Sequence, residues 1–200
     1  KKGHEPFLFH QFFPLFSMTA THTQLSERVQ KLAESETLKM ARMGRELRAL
    51  GHDVISLSLG EPDFDTPDHI KEAAYQALKD GYTKYTPVAG LPELTKAICE
   101  KFKRDNNLDF RPEQIVVSNG AKQTVYNLCQ ALLNPGDEVV VFAPYWVSYW
   151  EIIKMSDGIP VPVFAGVETD FKPSPQQLAD AITERTKFVI FSSPCNPTGT

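Results

Sequence analysis

Short apolar runs without polar alternation, separated by stretches long enough for helices, predict an α/β protein with a mostly parallel sheet covered by helices on both faces. The runs are Ile115-Val116-Val117, Glu138 to Phe142, Val161 to Phe164 and Phe188 to Phe191, each rich in β-branched or aromatic residues. Composition agrees: 42% of the 200 residues are hydrophobic and 23% charged, which excludes disorder, collagen and a disulfide scaffold.

The elements follow in order. Thr37 to Leu50 carries apolar residues at Leu38, Ala41, Leu47 and Leu50 between basic ones, and is expected to be an amphipathic helix closed by Gly51. Val54 to Leu59 reads as a short strand. Asp68 to Lys79 predicts a helix with Gly81 beyond it, and Pro92 to Arg104 another with proline in its first turn. After the run at 115–117, Lys122 to Leu133 predicts a helix stopped by Asn134-Pro135-Gly136. Helices are expected again at Tyr145 to Met155 and Pro175 to Ile182, each placed between strands. No internal repeat and no low-complexity linker divides the chain.

Charge and cysteine usage exclude other classes. Lys and Arg number 21 against 25 Asp and Glu, a formal net charge of -4, so no basic excess exists to hold nucleic acid. Cys99, Cys129 and Cys195 form no CxxC pair and suit a reducing, cytoplasmic compartment. The five histidines show no zinc-type spacing. Residues 7–16, FLFHQFFPLF, follow Lys1 and Lys2 as a secretory leader would, but His10, Gln11 and Pro14 interrupt the run. It also falls short of the ~20 apolar residues that cross a membrane. The composition turns polar at Met18, which is expected to be the true start, leaving 1–18 as an upstream tail.

In an open parallel sheet, ligands collect beyond the carboxyl ends of the strands. Three such loops carry unusual residues. Ser118-Asn119-Gly120-Ala121-Lys122-Gln123 combines a glycine, the unpaired N–H groups of a helix start and a lysine, which suit a phosphate. Its plain alternative is a Ser/Asn helix cap with a solvated lysine. Ala143-Pro144-Tyr145-Trp146 places a large aromatic where it can cover a flat heteroaromatic ring, or simply pack into the core. Asn196, held between Pro194-Cys195 and Pro197, presents an amide able to donate to a phenolate-type oxygen, or opens an ordinary Asn-Pro turn. Together they describe a flat phosphorylated ring.

Gly60-Glu61-Pro62-Asp63-Phe64, Lys84-Tyr85-Thr86-Pro87, Asn119-Gly120-Ala121-Lys122-Gln123, Pro144-Tyr145-Trp146 and Asn196-Pro197-Thr198-Gly199 resemble the class I pyridoxal-phosphate (PLP) aminotransferases in order and spacing, from about Leu25 onward. The sequence is most similar to the bacterial aspartate aminotransferase subgroup. The resemblance implies a fold type I homodimer that moves an amino group from an amino acid, aspartate or a similar one, to a 2-oxo acid such as 2-oxoglutarate. It implies that Gly120, Ala121 and Lys122 hold the cofactor phosphate, that Trp146 lies over the pyridine ring and that Asn196 donates to the ring's hydroxyl. Gly60, Trp146 and Asn196 would meet the substrate, and Tyr85 would reach the neighbouring subunit's site. Cis peptide bonds are implied at Pro144 and Pro197. Residues 19–60 would form an N-terminal arm and part of a small domain, and 61–200 the first part of the large cofactor-binding domain.

In that family the Schiff-base lysine, the aspartate on the pyridine nitrogen and the substrate arginine align beyond Thr200. Lys122 belongs at the phosphate end and does not replace that lysine. A domain seldom stops just after a buried strand and a tight turn, so these residues are expected to be the first half of a longer chain, with an incomplete sheet, poor folding and no turnover alone. An early lysine tied to prephenate use aligns with Ala33, which argues against that activity. Rival readings are a C–S lyase on the same fold and a non-catalytic regulatory module. A dinucleotide binder fails for lack of GxGxxG after a strand.

Overall fold

The computed structural model describes residues 25–33 and 36–200; the expectations placed on residues 1–24, the upstream tail and the start at Met18, lie outside the described residues. The chain runs through α1 (Glu27–Gln30), α2 (Glu36–Ala49), α3 (Asp68–Lys79), α4 (Pro92–Asn106), α5 (Ala121–Leu132), β1 (Glu138–Ala143), α6 (Ser148–Met155), β2 (Ile159–Phe164), α7 (Pro175–Ala181) and β3 (Thr186–Ile190). This is the expected α/β alternation. The strands form one parallel sheet in the order β2-β1-β3. β1 pairs with β2 from Glu138 opposite Ile159 to Ala143 opposite Phe164, and with β3 from Val139 opposite Phe188 to Val141 opposite Ile190. The outer edges of β2 and β3 have no strand partner among the described residues.

Val139, Val140 and Val141 have no exposed surface at all. Successive strand residues face opposite sides, so β1 is covered on both. Burying each valine contributes about 1.5–3 kcal/mol, which makes this strand the main anchor of the fold. On one face Val139 and Val141 pack with Cys129 of α5, Leu133, and Tyr149, Ile152 and Ile153 of α6. The α6 residues recur at the spacing of a single helix face. Burial pushes the Cys129 thiol pKa up, so it stays protonated and behaves as a small apolar side chain. Gly158 enters β2 beneath this cluster, where a Cβ would stand 2.8 Å from Leu133 Cδ1 and 3.1 Å from Ile153 Cγ2.

The foot of β1 is fastened by charge. Glu138 is 4% exposed and accepts from Thr183 Oγ1 at 2.6 Å and from Arg185 Nε at 2.9 Å, with Arg185 Nη2 on the same carboxylate oxygen. The Thr183 hydroxyl first, then the Arg185 guanidinium, hold the Glu138 carboxyl below the usual carboxylate range, against the opposing effect of burial. Both partners lie just before β3, so the contact aligns the two strands.

Two expected strands are not strands. Ile115-Val116-Val117 is extended but joins no ladder; the Val117 N–H donates instead to the Ala89 carbonyl at 2.9 Å. Gly90, with φ +111°, lies against Val117 so closely that a Cβ would come within 2.6 Å of Val117 Cγ2. Val54 to Leu59 is likewise irregular, with Ile55 85% and Leu57 91% exposed. A β-branched run records fitness for a pleated surface, and a ladder still needs a partner strand. Pro144-Tyr145-Trp146 stays outside α6, which begins at Ser148 rather than Tyr145.

Two outcomes follow from this packing. Gly158→Ala lowers stability by about 1–3 kcal/mol in urea titration, through overpacking against Leu133 and Ile153. Because the folded pKa of Glu138 lies below its unfolded value of about 4.3, its contribution is full above that pH and is lost as pH falls through the folded pKa. The melting-temperature gap between wild type and Glu138→Gln is therefore constant near neutrality and closes in acid; a gap that widens in acid contradicts the assignment.

Candidate functional site

Of the predicted positions, Gly120, Ala121 and Lys122 lie where α5 begins, Trp146 in the turn after β1 and Asn196 in the turn after β3. Gly120 is the residue before α5 and has φ +85° and ψ 160°, a region open essentially to glycine alone. A Cβ there would meet no atom within 4 Å, so the glycine is required by backbone shape and the space in front of it is open. The Gln123 and Thr124 N–H groups turn back to the Gly120 carbonyl at 3.1 and 3.3 Å. The N–H groups of Ala121 and Lys122, at the first two helical positions, have no intrahelical acceptor and carry the positive end of the helix dipole.

Lys122 leans the same way. Its Nζ stands 5.2 Å from the centroid of the Trp146 ring, a cation–π distance. Trp146 meets Tyr149 edge-on at 5.4 Å and packs against the core cluster, while Tyr145 stacks on Trp150 at 5.8 Å with planes 3° apart. Trp146 thus combines both sequence readings: partly buried against the core, with its ring beside the helix start. Burial, then the Glu151 carboxylate, pushes the Tyr145 phenol up, keeping it protonated and uncharged at neutral pH.

The turn after β3 joins the turn after β1. The Cys195 thiol points to the Pro144 carbonyl at 3.4 Å, and the Cys195 N–H donates to the Thr200 carbonyl at 2.7 Å, closing the turn that bears Asn196. Asn196 is exposed, and its backbone N–H donates to Ser192 Oγ at 3.2 Å. The peptide bonds before Pro144 and Pro197 are cis, as the resemblance implies, and so is the one before Pro194. A cleft of about 230 Å³ between the turns is lined by Phe142, Pro144, Tyr145, Phe191 and Cys195 among others. A larger hollow of about 640 Å³ lies at the amino ends of the strands, beside Pro135 and Gly158; there Arg28 is already paired with Asp157 at 3.3 Å.

Gly60 and Tyr85 are both exposed. Tyr85 is 106% exposed, and a Cβ on Gly60 would meet nothing within 4 Å, so the described residues enclose neither. Sequence reasoning missed the acceptor role of Gln123, whose Oε1 takes the Asn119 N–H at 2.5 Å. A glutamine at the third helical position is the signal that could have found it.

The strand ends of this α/β sheet thus carry a helix start without a side-chain cap, an aromatic plane beside it and an amide-bearing turn. The comparisons with known proteins give the family: residues 52–200 match aminotransferase class I and II, and the chain belongs to that family. It is 55% identical over 175 residues to an aspartate/prephenate aminotransferase of Cereibacter sphaeroides, covering 88% of this chain and 44% of that protein. Over 176 residues it is 51% identical to an aspartate aminotransferase of Bacillus subtilis, covering 88% and 45%. Among solved structures, the aspartate aminotransferase of Thermus thermophilus with maleate matches at a TM-score of 0.83 and 49% identity, over 88% of this chain and 46% of that one. The Rhizobium meliloti aspartate aminotransferase matches at 0.84 and 43%, over 88% and 44%. The chain therefore spans less than half the length of these relatives.

Gly120→Ala tests the backbone requirement. It lowers stability by about 1–3 kcal/mol although the new methyl touches nothing. An unchanged urea midpoint would show that the turn tolerates a side chain.

Proposed function

We propose that these residues form the phosphate-and-ring-holding part of a PLP-dependent transaminase, acting on aspartate or a similar amino acid and on a 2-oxo acid such as 2-oxoglutarate. One observation carries the reading: Lys122, in the uncapped first turn of α5, reaches the Trp146 ring, its Nζ 5.2 Å from the centroid. The donor set fits the cofactor in kind. Two N–H groups and an ammonium suit a phosphate dianion, an indole suits a pyridine plane, and the Asn196 amide suits a ring hydroxyl.

When bound, PLP supplies the electron sink that stabilises a carbanion at the substrate's α-carbon. The residues of this chain bind and orient it. Gly120, Ala121 and Lys122 fix the phosphate, Trp146 limits tilt of the ring and excludes water from its face, and Asn196 polarises the hydroxyl. Asn196, Gly60 and Trp146 line the approach of the substrate carboxylate. Tyr85, wholly exposed here, is free to enter a neighbouring subunit's site in a homodimer. Residues 19–60 serve as arm and part of a small domain, and 61–200 as the first part of the cofactor domain. The three unpaired cysteines suit the cytoplasm. The Schiff-base lysine of the family has no counterpart among these 200 residues, so by themselves they do not turn over.

The protein expressed from its full gene is expected to form glutamate from aspartate and 2-oxoglutarate only with PLP, while residues 1–200 alone form none at enzymatic rates. Turnover without the cofactor, or by residues 1–200, contradicts the proposal.

A further inference from the structure

We infer that Gln123 is a positioning residue that keeps the phosphate-binding turn open, an inference resting on the cofactor reading above. Among the described α-helices two, α5 and α7, have a glutamine at the third helical position, and the contrast between them is informative. In α7 the cap is Ser174: its Oγ accepts the Gln177 N–H at 3.2 Å, and Gln177 Oε1 accepts the Ser174 N–H at 2.9 Å. That reciprocal pair seals the helix start.

In α5 the cap is Gly120, with no side chain to fill the helix donors. Gln123 reaches one residue further back, and its Oε1 takes the Asn119 N–H at 2.5 Å. The Gly120 N–H goes to the Ser118 carbonyl at 2.9 Å, and the Gln123 N–H to the Gly120 carbonyl at 3.1 Å. Of the backbone N–H groups from Asn119 to Thr124, only those of Ala121 and Lys122 are thereby left without an acceptor. A serine or aspartate at position 120 would turn its side-chain oxygen back over the helix start, into the space an anion needs. Gln123 closes the turn from outside and leaves that space clear. It also fixes the Ser118–Asn119 peptide, whose N–H it accepts, just ahead of the peptides that carry the two free N–H groups.

The test measures the affinity of the full-gene protein for PLP and for pyridoxal, which lacks the phosphate, by absorbance titration. Gln123→Met, close in shape but without the acceptor, weakens PLP binding about tenfold and leaves pyridoxal binding unchanged. Gln123→Glu, which restores an acceptor oxygen, returns PLP affinity to within about threefold of wild type. If Gln123→Met fails to fold, Gln123→Asn, whose amide is one methylene too short, shows the same phosphate-selective loss. Equal weakening toward PLP and pyridoxal, no weakening, or no recovery with glutamate overturns the inference. A wild-type protein that does not prefer PLP to pyridoxal overturns the cofactor reading itself.

Discussion

Burial of β1 on both faces is the constraint from which the other positions take their places. Its three central valines have no solvent exposure, β2 and β3 flank it in parallel, and Glu138 pins its foot to the residues leading into β3. A strand held this way points its carboxyl end in one fixed direction. The turns bearing Trp146 and Asn196 leave from that end and from the neighbouring end of β3, and the Cys195 contact with Pro144 keeps them together. The helix start at Gly120 is tied to the same core because Val125, Tyr126 and Cys129 of α5 pack against β1.

Much of this is legible in the residues. The bounds of α3 are those that the sequence predicts, and β1, β2 and β3 lie where the apolar runs stand. Helices with proline near their first turn, α4 and α7, announce themselves equally well. The failures share one cause. Val116 is 68% exposed and Val117 bonds to a loop carbonyl, because a strand is a relation between two segments and propensity describes only one. The exposed Ile55 and Leu57 tell the same story.

The candidate site is legible in its residue types and less so in its geometry. Glycine, lysine, tryptophan and asparagine in strand-end loops announce their chemistry, and their common location follows from the parallel topology. What a one-dimensional reading does not supply is which donors stay open. That depends on the side-chain acceptor of Gln123 and on φ at Gly120, both set by three-dimensional closure of a single turn. The Glu138 latch was invisible for a similar reason, since Thr183 and Arg185 lie 45 and 47 residues along the chain.

Membership in the aminotransferase class I and II family and the open helix start support the proposed reading, in which the first turn of α5 grips a phosphate while Trp146 covers the ring attached to it. A crystal structure of the full-gene protein with PLP tests this most directly. The account predicts phosphate oxygens within hydrogen-bond distance of the Ala121 and Lys122 N–H groups and the indole stacked over the pyridine. A phosphate bound elsewhere, with the α5 turn solvated and Trp146 still packed away from the ring, would contradict it.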